Sequence, residues 1–173
     1  MKLLLKIKNW QLFLVLMGCL FSPSLLSSLI PPFLLKTFEL AFFAIFVSWL
    51  ISIGYEANRR LPDELKASQK PMMLGLIYAG IYAANFNSLV FGSGAMESLN
   101  TQFIVPFHLL AMVGIFYSLG FTAKRLMTVS IGRKVGFFEY SGPFFMFWFF
   151  PVGIWFIQPK VNLLLGVDSS ELG

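Results

Sequence analysis

Apolar residues dominate five stretches of the chain, at about 10–30, 38–54, 72–91, 103–122 and 137–158, with short polar links between them. Several of these runs approach or exceed the ~18 apolar residues that mark a helix crossing a bilayer. The pattern predicts an all-α, polytopic integral membrane protein: about five transmembrane helices in a small bundle, forming a single membrane domain over residues 1–173.

Within the third stretch, Gly75, Ala79, Ala83 and Asn87 recur every four residues and so share one helical stripe. In lipid, small residues at this spacing let helix backbones approach closely, and a polar side chain on the same stripe can bond across. On the fourth stretch, His108, Ala111, Gly114, Ser118 and Thr122 line a second small and polar face. A short link joins the two stretches, which makes them antiparallel neighbours. Asn87 and His108 each lie close to the outer end of their helix, so a hydrogen bond between them is expected.

The links carry their own signals. Pro23 kinks the first span and Pro31-Pro32 closes it. The most polar segment runs from Glu56 to Lys70, where Pro62-Asp63-Glu64 suits the first turn of a short surface helix. Lys124, Arg125, Arg133 and Lys134 bracket Leu126, Met127, Val129, Ile131 and Val135. Such interleaving lies on an anionic membrane surface, which makes the four cations candidate lipid contacts. The fifth stretch holds eight Phe with Tyr140, Trp148 and Trp155, and is interrupted by Gly142-Pro143 and Pro151. Its 22 residues would make about 33 Å of helix, but measured from Phe144 it has only 15. A short, Pro-kinked fifth span is expected, with a re-entrant hairpin as the alternative. Its aromatic residues read as a lipid-facing belt.

Composition agrees with the pattern. Hydrophobic residues make up 57% of the chain and charged ones 12%, with a mean hydropathy of +0.77. A soluble domain is about 25% charged. The lone Cys19 rules out an intramolecular disulfide and a cysteine metal cluster. Leu16-Met17-Gly18-Cys19 approximates a lipoprotein cleavage box behind Lys2, Lys6 and Lys8. Apolar residues continue past it through Leu26, so an uncleaved first span is the better reading. The net charge of +5 sits in blocks beside the apolar runs, where it sets orientation, and no nucleic-acid partner is expected. Of the 13 Lys and Arg, 11 fall in alternate segments beginning with the N-terminus. That places the N-terminus, Arg59–Lys70 and Lys124–Lys134 in the cytoplasm, and the small, loop-poor build suits a plasma (inner) membrane.

Catalytic chemistry is hard to find. The chain contains no H-E-x-x-H, P-loop, G-x-S-x-G or acidic metal pair, and His108 is its single histidine. No catalytic, metal or cofactor site is expected. A dyad of Ser93 and His108 competes with the ordinary turn chemistry of Gly92-Ser93-Gly94. Asn85, Asn87, His108 and, if the fifth stretch crosses, Gln158 form a candidate polar cluster on the outer side. Helix packing is assigned to Gly75, Ala79, Ala83, Ala111, Gly114 and Ser118. The expected function is a non-enzymatic accessory subunit or assembly partner of a larger membrane complex. The alternative is a small transporter, channel or lipid-binding protein using an outward-facing polar pocket. Expected partners are the bilayer, anionic lipids on the cytoplasmic side, and a membrane protein or second copy of the chain.

Overall fold

The computed structural model describes residues 2–91 and 101–166, with side chains at all of these except 2, 32, 86–91 and 101–103. Among the described residues the regular structure is entirely helical: α1 (Lys2–Lys6), α2 (Asn9–Leu26), α3 (Pro32–Arg60), α4 (Lys70–Phe91), α5 (Thr101–Ile131), α6 (Phe137–Trp148) and α7 (Phe150–Leu165). Three helical stretches, Asn9–Leu26, Phe33–Arg60 and Ile104–Ile131, are long and apolar enough to cross a membrane.

The helices from α2 to α5 alternate in direction. The start of α2 and the end of α3 lie together at one end of the molecule, which we call the basic end. There α7 meets both: Asn162 Nδ2 donates to the Ile7 carbonyl, and Arg60 donates to the carbonyls of Leu164 and Leu165. The α4–α5 pair is the most extensively packed. At its centre Gly75 and Gly114 lie back to back, so that a Cβ on Gly75 would come 3.0 Å from the Gly114 Cα and carbonyl oxygen. Close approach of this kind supplies the dispersion that holds helices together in lipid, where no hydrophobic drive separates them from their solvent. One turn on, the Ser118 hydroxyl has two carbonyls within reach of its one proton, Gly114 at 2.7 Å and Met72 at 3.1 Å. Thr122 reaches the Leu50 carbonyl of α3 at 3.5 Å and ties in the third helix.

Helix boundaries depart from the apolar runs in informative ways. Pro31 caps α3 and Pro32 opens it, since a missing N–H costs nothing in a first turn. This puts Lys36 on the helix rather than in a link, and Glu39 in its second turn rather than at its start. Helix α5 continues past Thr122 to Ile131 and stops at Gly132, whose φ is +77°. Lys124 and Arg125 are thus on the last turns of a long helix, not on a separate surface helix. The surface helix expected within 56–70 is a single 3-10 turn, Asp63–Leu65. Glu56 to Arg60 belong to α3, and Asn58 clasps the extended return by exchanging two 3.0 Å hydrogen bonds with the backbone of Ala67. In that loop Lys66 donates to Asp63 at 2.7 Å and holds its carboxyl below the ordinary range.

The fifth apolar stretch is two helices folded back on each other. Along α6 the chain moves away from the basic end: Tyr140 lies beside Lys124, while Phe144 and Trp148 stack on Phe116. It reverses at Phe149. Along α7 it returns, from Phe150 against Phe42 and Phe46 to Leu165 at Arg60. Trp49 touches both arms, its ring 5.4 Å from that of Phe147 and its Nε1 2.8 Å from Gln158 Oε1. The reversal is so tight that a Cβ on Gly153 would fall on the Met146 carbonyl. Pro151 explains the position of the break. Its ring would clash with the carbonyl four residues earlier if α6 continued, but it is tolerated in the first turn of α7. Gly142-Pro143, the other expected interruption, lies within α6.

Candidate functional site

The same small residues that knit α4 to α5 leave a hollow further from the basic end. Ala79, Ala83 and Ala84 of α4 and Ala111 of α5 are too short to reach α2 and α3. A cavity of 470 Å³ lies between them, walled by Phe42 and Phe43 and floored by apolar side chains including Met112 and Ile115. Its polar groups are few: Lys36, Glu39, Tyr82, His108 and the partly buried thiol of Cys19. A hollow of this size, mostly apolar with a few convergent polar groups, is the usual form of a small-molecule site.

His108 is held by α4. Its Nδ1 lies 3.3 Å from the Tyr82 hydroxyl, and the two rings meet edge to face with centroids 5.6 Å apart. Tyr78, one turn earlier, donates to the Phe107 carbonyl at 3.1 Å. Register explains why tyrosines occupy this level. With Gly75 opposite Gly114 in antiparallel helices, Tyr82 falls opposite Phe107 and His108, and Asn87 falls beyond them.

Of the expected polar cluster, Asn85 and Gln158 are not brought to His108. The Asn87 side chain and Ser93 lie outside the described residues. Asn85 is exposed and donates to the Ile81 carbonyl of its own helix at 2.7 Å. Gln158 belongs to the opposite half of the molecule, because the hairpin carries it back toward the basic end. There it is buried, accepting from Trp49 and donating from Nε2 to the carbonyls of Leu4 at 3.0 Å and Ile7 at 2.9 Å. Sequence reasoning passed over Lys36, Glu39 and Tyr82. The available signals were a cation and an acid three residues apart on one helical face, and tyrosines four apart at 78 and 82.

The four expected lipid contacts separate as well. Arg125 is only 8% exposed, a buried residue rather than a surface contact. Its guanidinium lies over the Phe121 ring and bonds the Leu65 carbonyl, because α5 runs on beneath the 63–70 loop. Arg133 pairs with Glu139 at 2.6 Å. Lys124 lies 5.9 Å from the Tyr140 ring centroid, and Lys134 is exposed. No known protein family, curated protein or solved structure matches this chain.

Proposed function

We propose that this chain is a non-enzymatic, multi-pass membrane protein that holds an amphipathic, lipid-like ligand in the cavity between α2, α3, α4 and α5. The observation that carries the reading is the division within that cavity. Phenylalanines and alanines offer dispersion to a hydrocarbon body, while Lys36, Glu39, Tyr82 and His108 offer hydrogen bonds and charge to a polar group. A bilayer-facing hollow of this kind takes up a chain from the lipid itself. Four helices, α2 to α5, cross the plasma membrane in this reading. The 12 residues of α6, about 18 Å of helix, fall well short of the roughly 30 Å hydrocarbon core, so α6–α7 enters and returns on the cytoplasmic side.

The test is purification in mild detergent followed by native mass spectrometry. A discrete lipid should accompany the wild-type chain and be lost from Ala83→Phe, whose ring would occupy the hollow. Recovery of the protein free of any discrete lipid would overturn the reading. An accessory-subunit role is favoured by a different observation: Gly18, Gly80 and Gly142, all within helices, have no atom near the place a side chain would take. Each offers a close seat for a helix of another chain. A stoichiometric protein in the same purification would support that role.

A further inference from the structure

At the basic end a second pocket, of 240 Å³, opens between the 63–70 loop and the last turns of α5. Its charged lining comprises Lys66, Lys124, Arg125 and Lys134 against the single acid Glu64. Lys66 is partly neutralised by Asp63. Arg125 is the anomaly. It is more than nine-tenths buried, yet no carboxylate among the described residues pairs with it. A guanidinium has five N–H donors. Among the described residues only Nη1 finds an acceptor, the Leu65 carbonyl, and Nε is buried with no partner. The contrast with Arg60 is instructive. That residue also leaves solvent at this end, and it meets Glu56 at 2.9 Å and two carbonyls that close α7. A buried cation without a counter-ion is costly, and proteins seldom retain one unless something supplies the missing charge.

We propose that this pocket binds a phosphate-type oxyanion, with Arg125 as its buried donor and Lys66, Lys124 and Lys134 around it. Guanidinium geometry matches a phosphate's paired oxygens, and lysines add charge without demanding a fixed angle. The phosphate comes either from the headgroup of an anionic lipid in the adjacent leaflet or from a soluble phosphate compound. The site is separate from the cavity near His108 and does not rest on what that cavity holds.

Two arms test it on the full chain. In nanodiscs of phosphatidylcholine, titration with inorganic phosphate is followed by calorimetry. In parallel, the chain is exposed to vesicles of phosphatidylcholine and phosphatidic acid, re-isolated, and its retained lipid measured. Saturable binding in the first arm identifies a soluble phosphate. Retained phosphatidic acid that inorganic phosphate does not displace identifies a headgroup. In whichever arm binds, Lys134→Gln should weaken binding about fivefold, as a juxtamembrane lysine contributes about that much. Arg125→Gln should weaken it tenfold or more. Lys134 and Lys124 are not core residues, so their variants give the answer even if Arg125→Gln fails to fold. Lys70→Gln, an exposed cation at the same end but outside the pocket, should bind as wild type. Absence of saturation in both arms overturns the proposal, and so does a Lys70→Gln loss equal to that of Lys134→Gln.

Discussion

Gln158 is fully buried and makes three hydrogen bonds. It satisfies one donor and two carbonyl acceptors that would otherwise be stranded among apolar groups. Hydrogen bonds in membranes average only about 0.6 kcal/mol, but an orphaned buried group costs about 1–3 kcal/mol. Gln158→Leu should therefore lower the unfolding temperature in detergent clearly. Asn85→Leu, at an exposed amide bonded within its own helix, should leave it nearly unchanged. Equal effects would remove Gln158 from the centre of the fold. His108 shows what single positions disclose and what they withhold. Its place on a small and polar face was legible from spacing. Its contact with Tyr82 was not, because which residues face each other depends on how two helices are set against one another, which spacing along one chain does not encode. Only the Gly75–Gly114 contact sets the register that brings Tyr82 to it.

Among the elements, the α4–α5 pair was written plainly in the sequence as two stripes of small residues, since a four-residue repeat survives any detail of packing. Gly114→Leu should force the backbones apart at a steric cost of typically 1–3 kcal/mol, read as a lower unfolding temperature. Gly80→Leu, on the partner helix α4 but facing open space, should be tolerated, and if both variants behave alike the contact is misassigned. The hairpin was less legible. A run of apolar residues broken by prolines reads the same whether the chain bends or reverses. What decides between them is a meeting of residues on separate helices, Gly153 with Met146 and Trp49 with both arms, which no local pattern encodes. Gly153→Ala should accordingly destabilise the protein more than Gly142→Ala, which meets nothing.

For the molecule as a whole, charge was the clearest guide, with the cations of the 59–70 and 124–134 segments gathered at the end where α1 and α7 meet. The hairpin adds a consequence that the count of charges could not supply: α7 ends at this same end of the molecule, where Leu165 meets Arg60. In a Cys19→Ser background, cysteines at Ser68 and Ser169 should be labelled by an impermeant reagent from one face, and a cysteine at Ser28 from the other. Labelling of Ser169 together with Ser28 would mean that the last segment crosses.

The bonds from Gln158 to Leu4 and Ile7 join residues 154 and 151 positions apart. Translation proceeds at about 5–20 residues per second, so the N-terminal segment waits roughly 8–30 seconds for its partner to be made. During that interval α1 has only the α3 side of its seat, and the side that α7 supplies stays open. A chain arrested before α6 is therefore open at both ends, and a cell's quality control can recognise it by its unclasped beginning. The last helix to be synthesised completes the first.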